Sequence, residues 1–307
     1  MYDSIIILGP TATGKTNLSI NLAKILDTEI INADSMYIYD ELNIGTAKPS
    51  KDEMQNITHH LIGHVSATYS YNVSQYREDA KKIIANLIAK KKLPIIVGGT
   101  GFYIDSLISN YSYGDAIRND DIRNELNQQL DTLGNEYLYN KLNDLDPISA
   151  SKLHLNDSKR IIRALEIIMT TGNKKSEIKN LEESILKNPL IIGLNIPREI
   201  LYERINSRVD SMIKNGLLEE VKYLYNDLNL SPEFHQSMKG IGYKELIEYL
   251  NNECSLDFAI DKIKQHSRNY AKRQITWFKR NEKIKWFNPI EENDLAMKII
   301  EMLKKEG

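Results

Sequence analysis

The stretch GPTATGKT, residues 9–16, decides how the rest of this chain is read. It follows the apolar run SIIIL (4–8) and precedes KTNLSINLAKIL (15–26), whose Leu18, Leu22 and Ile25 share one helical face. Gly9 and Gly14 allow the tight wrap of a phosphate-cradling loop, and Pro10, Thr11, Ala12 and Thr13 form the turn between them. Backbone N–H groups and the helix N-terminus then face the anion. Lys15 supplies a point charge for the terminal phosphate, and the Thr16 hydroxyl is placed to ligate Mg2+.

Working outward, EIINAD (29–34) reads as a second strand, VSQYREDAKKIIANLIAK (73–90) as a long amphipathic helix, and LPIIVGG (93–99) as a third strand. This alternation predicts an α/β fold, a P-loop core with a central parallel sheet flanked by helices. The character changes near NYSYGD (110–115). From 115 to 186 every periodic segment is helical, and PLIIGLNI (189–196) is again a strand able to rejoin the sheet. The expected organisation is core residues 1–114, an all-helical insertion over 115–186, and a second core part over 187–307 that ends in a basic helical segment running to Phe287.

The chain has 307 residues, 41% apolar and 27% charged, with a formal net charge of −2. That is an ordinary globular composition, so any nucleic-acid surface must be a local face rather than a property of the whole. A single cysteine, Cys254, excludes an intrachain disulfide and fits a reducing compartment. No run of about 18 apolar residues suggests a membrane span. A soluble, cytoplasmic monomer is expected.

A phosphate loop alone leaves kinase, hydrolase and transferase open. The strand before Gly98 ends in glycines rather than the Asp that a nucleoside triphosphatase uses for its metal shell. Asp34 ends the second strand instead, where it can serve a metal, act as a base facing the bound phosphate compound, or simply stabilise a turn. His60 and His64 have no third ligand in sequence and read as structural.

Several blocks together resemble one family. GPTATGKT is followed by NADSMYIYDELNIGTAKP, HHLIGH, VGGTGFYIDSL, LNDSKRIIRALEI, GIGYKE and AKRQITWFKR, from residue 4 to about 287. In this order they are similar to tRNA dimethylallyltransferases of the bacterial short form, without the zinc finger of eukaryotic members. The resemblance implies transfer of a dimethylallyl group from dimethylallyl diphosphate to the exocyclic amine of an adenine beside the anticodon of tRNA, with Mg2+. It implies that the loop and Arg208 grip the diphosphate, with Arg204, one turn earlier, as the competing choice. It also implies that Asp34 takes the amine proton and that Thr100 lies near the target nucleotide. A strand-end Thr capping the helix at Gly101 is the structural alternative for Thr100.

For the RNA side, the resemblance implies contacts to the anticodon stem-loop from Asp34, Ser35, Met36, Tyr37 and Arg123, and from Lys159, Arg160, Ile161, Ile162 and Arg163. Lys272, Arg273 and Gln274 of the AKRQITWF block are likewise implied tRNA contacts. Tyr37 stands where many members carry glutamine, and Gly63 where they often carry an acid. Independently of family, nine Lys/Arg and one acid, Glu282, lie between Lys262 and Lys285, interleaved with Tyr270, Trp277 and Phe278. Such a run suits phosphate contacts, with Trp277 and Phe278 assigned to packing first. An adenylate isopentenyltransferase or a P-loop nucleotide kinase that binds ATP are the rival readings. The acceptor that becomes labelled, and ATP consumption, separate them.

Overall fold

The structure is a computed structural model that describes residues 2–109, 119–177 and 183–305. The change of character at 110–115 lies outside the described residues. Two compact units partition the chain: Met1–Ser109 with Ile185–Gly307, and Asn110–Ser184.

In the larger unit the strands are β1 (Ser4–Leu8), β2 (Ile30–Asn32), β3 (His59–His60), β4 (Ile95–Gly98), β5 (Pro189–Leu194) and β6 (Lys285–Phe287). Its helices are α1 (Lys15–Ile25), α2 (Val73–Ala89) and α3 (Gly101–Ile108), then, after the insertion, α7 (Arg198–Lys214), α8 (Leu217–Lys222), α9 (Tyr243–Leu250), α10 (Leu256–Phe278) and α11 (Leu295–Lys305). The described strands form one parallel sheet in the order β3-β2-β4-β1-β5-β6.

The run Ile5–Ile6–Ile7 is uninterrupted because β1 is covered on both faces. Ile6 and Leu8 enter the core under α2 and α9, while Ile5 and Ile7 pack with Leu22 of α1 and Ile299 of α11. Each such side chain contributes about 1.5–3 kcal/mol by leaving water. Parallel strands bring all their C-terminal ends to one edge, so the loops after β1, β2 and β4 converge there.

The closing segment differs from the sequence expectation. Helix α10 stops at Phe278, and Lys285–Phe287 is strand β6, paired with Ile192–Leu194 of β5. The β5 edge offers unpaired backbone groups, and Trp286 packs where a Cβ on Gly193 would lie, 2.6 Å from its ring. The basic run is therefore divided among helix, turn and strand.

The smaller unit is built from α4 (Asp120–Leu145), α5 (Pro147–Ala150) and α6 (Ser158–Thr171). Helix α4 is broken at Gly134, whose φ of 81° is left-handed. Leu126, Leu138 and Leu142 of α4 pack against Ile161, Ile162 and Leu165 of α6. No described helix is long and apolar enough to cross a membrane.

Candidate active site

At the C-terminal edge of the sheet lies a cavity of about 540 Å3. Thr11, Ala12, Gly14, Lys15 and Thr16 form its floor after β1, and Asp34, Ser35, Met36 and Tyr37 line it after β2. Arg208 of α7 and Tyr270, Arg273 and Gln274 of α10 complete the wall. Gly9, Pro10 and Thr13 shape the loop from behind. A Cβ on Gly9, whose φ is +143°, would sit 2.4 Å from the Leu194 carbonyl oxygen, so close backbone approach demands glycine. The Pro10 carbonyl accepts from Thr13 Oγ1 at 2.9 Å and from Lys15 Nζ at 2.7 Å.

Burial holds the Lys15 ammonium below the usual lysine range, at about 8; Asp34 opposes that shift and Arg208 adds to it. Arg208 donates from Nη1 to Thr11 Oγ1 at 2.7 Å and from Nη2 to the Ala47 carbonyl at 3.2 Å. Arg204, by contrast, reaches only the Ala12 carbonyl at 3.5 Å and does not line the cavity. Tyr37 hydrogen-bonds Arg208, and burial raises its phenol pKa. Two cationic side chains, Lys15 and Arg208, thus line one concave space, an arrangement chemically suited to a multiply charged anion.

Asp34 is held by its neighbours. Asn32 Nδ2 donates to the Asp34 carbonyl at 2.9 Å, Asn32 Oδ1 accepts from the Asp34 N–H, and Asp34 Oδ1 accepts from the Met36 N–H at 3.0 Å. Asp34 is therefore a turn residue whose carboxylate also lines the cavity. Thr100 sits at the start of α3 but makes no side-chain cap there. Its Oγ1 instead accepts from the Ser35 N–H, and Tyr270 hydrogen-bonds it from α10.

Gln274, expected at the RNA, is 5% exposed. Its Nε2 donates to the Gly99 carbonyl at 2.9 Å and its Oε1 accepts from the Thr11 N–H at 3.3 Å. The amide ties the end of β4 to the phosphate loop while the residue lines the cavity wall. Lys272 and Arg273 are exposed, and Arg273 stacks 5.6 Å from the Tyr270 ring centroid. Trp277 donates Nε1–H to Asp105 at 2.9 Å and Phe278 is buried, both packing residues.

In the smaller unit, Ile161 and Ile162, also expected at the RNA, are core side chains, because the apolar face of α6 must bury itself against α4. Arg163 and Arg123 ion-pair with the fully buried Glu166 at 2.8 and 2.9 Å, while Arg160 pairs with Asp157 at the surface and Lys159 is exposed. His60 binds Glu29 at 2.7 Å and His64 packs edge-on against Tyr71. Asn32 and Tyr270 are cavity-lining residues that sequence reasoning missed. Tyr270 was noted only as an aromatic within the basic run, and nothing local distinguishes Asn32.

Residues 37–281 match the family model described as IPP transferase. The chain belongs to that family. It is 48% identical over 287 residues to a tRNA dimethylallyltransferase of Clostridioides difficile, covering 92% of this chain and 91% of that protein. Its fold is similar to that of the full-length tRNA isopentenylpyrophosphate transferase from Bacillus halodurans, with a TM-score of 0.74 at 38% identity, covering 99% of this chain and 96% of that one. It is also similar to a eukaryotic dimethylallyltransferase solved acting on tRNA, with a TM-score of 0.83 at 30% identity, over 98% of this chain and 78% of that one. Beside these IPP transferases, the cavity at the sheet edge becomes a candidate prenyl-transfer centre.

Proposed function

We propose that this chain prenylates tRNA, moving a dimethylallyl group from dimethylallyl diphosphate onto the exocyclic amine of an adenine in the anticodon stem-loop. The observation that carries the reading is the shared cavity: Lys15 and Arg208 stand on the phosphate-loop side, and the Asp34 carboxylate lines the same space.

In the reaction the C1–O bond of the allylic diphosphate breaks, and the leaving oxygen keeps the electron pair. The loop N–H groups, Lys15 and Arg208 stabilise the charge that accumulates there. The adenine amine nitrogen donates its lone pair to C1. Asp34 accepts the proton that this nitrogen sheds, which raises the reactivity of a weak aromatic amine. Asn32 holds the Asp34 backbone and Thr100 holds its neighbour Ser35, so both position the carboxylate.

The donor set suits Mg2+. Thr16 offers a hard hydroxyl oxygen on the cavity floor, and no cluster of three His, Cys, Asp or Glu forms a dedicated cage among the described residues. Mg2+ commonly takes most of its ligands from phosphate and water. Bound at Thr16, it would supply further positive charge to the departing diphosphate.

Lys272 and Arg273, exposed on α10 beside the cavity, supply phosphate contacts for the RNA, and Lys159 and Arg160 of the helical unit supply others. The target base leaves its stack to reach Asp34. The test is transfer of labelled dimethylallyl diphosphate in Mg2+ to unmodified tRNA, with AMP and ATP as competing acceptors. Label in the tRNA adenine is expected. Label in AMP, or nucleotide phosphorylation without prenyl transfer, refutes the reading.

A further inference from the structure

Glu220, on α8, lies outside every motif that marks the site, yet its carboxylate collects four donors. Oε2 accepts from the Asn43 N–H at 3.0 Å and the Ile44 N–H at 2.7 Å. Oε1 accepts from the Gly45 N–H at 3.0 Å and from the Tyr243 hydroxyl at 2.8 Å. Three successive backbone N–H groups therefore cradle one carboxylate from a residue more than 170 positions away. The Tyr243 ring fills the space beside Gly45, where a Cβ would lie 2.6 Å from it, so the loop seats against the ring only with glycine there.

Thr46, the next residue of this loop, lines the cavity. The Thr46 and Ala47 carbonyls accept from Arg208 Nη2 at 3.5 and 3.2 Å, which leaves Nη1 directed at Thr11 of the phosphate loop. Ala47 holds a left-handed φ of 51°, a strained conformation for a residue with a Cβ, which persists only where its surroundings impose it. The Glu220 anchor and the Lys48 ammonium, which donates to the Tyr39 and Asp40 carbonyls at 2.7 and 2.9 Å, hold the loop from both flanks.

We propose that Glu220 is a positioning residue of the diphosphate site: it fixes the Asn43–Ala47 turn, whose carbonyls orient the Arg208 guanidinium. The inference rests on the reading that this cavity holds a diphosphate. Glu220→Gln replaces one acceptor oxygen with an amide N–H2 that confronts backbone donors, so part of the cradle opens while the volume stays the same.

The experiment is calorimetric titration of the full chain with inorganic diphosphate and Mg2+, for wild type, Glu220→Gln, Arg208→Ala and the double variant, beside KM for dimethylallyl diphosphate and tRNA affinity. Glu220→Gln is expected to weaken diphosphate binding and raise that KM roughly tenfold, with tRNA affinity unchanged. In the Arg208→Ala background its further effect should fall below about twofold, because the effect passes through the guanidinium. An undiminished effect in that background, or unchanged diphosphate affinity, overturns the proposal. Should Glu220→Gln fail to fold, Tyr243→Phe removes a single bond to the same carboxylate and should raise KM by roughly two- to fivefold, again only with Arg208 present. Wild-type protein that binds diphosphate but transfers no prenyl group would overturn the proposed function and leave the role of Glu220 standing.

Discussion

Thr100 and Ser35 are joined by two hydrogen bonds: Thr100 Oγ1 accepts from the Ser35 N–H at 3.0 Å and donates to Ser35 Oγ at 3.2 Å. The Thr100 N–H also donates to the Ala33 carbonyl at 3.1 Å. Both neighbours of Asp34 are thus strapped to the end of β4, and the carboxylate between them is aimed by backbone, not by its own rotamer alone. Asp34→Asn keeps the oxygen that accepts from Met36 but cannot take a proton. Single-turnover transfer should fall by at least about 100-fold with diphosphate affinity nearly unchanged. A fall below about threefold would remove Asp34 from the chemistry.

Thr100→Val keeps the shape and orphans the Ser35 N–H, a loss of about 1–3 kcal/mol. Thermal unfolding should register it, and transfer should slow more than tRNA binding weakens.

Lys15 sets a pH window. Its pKa is lowered to about 8, so the ammonium is lost as pH rises through that value, well before an ordinary lysine would titrate. KM for dimethylallyl diphosphate should therefore climb above about pH 8, with diphosphate binding taking up a proton there. The sign for stability is opposite. Between about 8 and 10.5 the unfolded chain binds more protons at this residue than the folded one, so Lys15 makes stability rise with pH in that interval. Proton uptake measured in two buffers of different ionisation enthalpy checks the first statement.

Gln274→Ala leaves the Thr11 N–H and the Gly99 carbonyl without their amide partner. A cost of about 1–3 kcal/mol per orphaned group is expected. The phosphate loop should loosen, seen as faster amide exchange at Thr11 and weaker diphosphate binding. Retained loop protection alongside lost tRNA affinity would instead make Gln274 an RNA contact.

Glu166→Gln tests the smaller unit by itself. The buried carboxylate also accepts from the Asn119 N–H at 2.9 Å besides its two arginine partners. Removing its charge should destabilise α4 against α6 by about 2–4 kcal/mol, as both guanidinium groups lose a buried anionic partner. Hydrogen exchange confined to 119–177 reads this directly.

Lys272→Ala and Arg273→Ala should each lower tRNA affinity and reduce the salt dependence of binding by about one counterion, with little change in diphosphate affinity. An unaltered slope would place the RNA backbone elsewhere.

Much of the fold could be read from the chain because its signals are local. The phosphate loop is contiguous, with Gly9 and Gly14 placed where backbone geometry requires them, and the unbroken run Ile5–Ile7 announces a strand buried on both faces. Asp34 was legible for the same reason, although β2 ends at Asn32 and Asp34 lies in the turn that follows. The end of α10 was not, because a basic run carries no mark of where a helix yields to a strand that completes the β5 edge. Nor did spacing on a helix show that Arg163 spends its charge on buried Glu166, or that Gln274 turns inward to Thr11 and Gly99. The anchor from Glu220 to Asn43, Ile44 and Gly45 lay wholly beyond sequence reading. Sequence alone determined which groups could bear the chemistry, since that follows from residue type and local spacing. Tertiary structure alone decided which of them face the cavity and which hold others in place, since a hydrogen bond across 170 residues exists only once the sheet has brought its ends together.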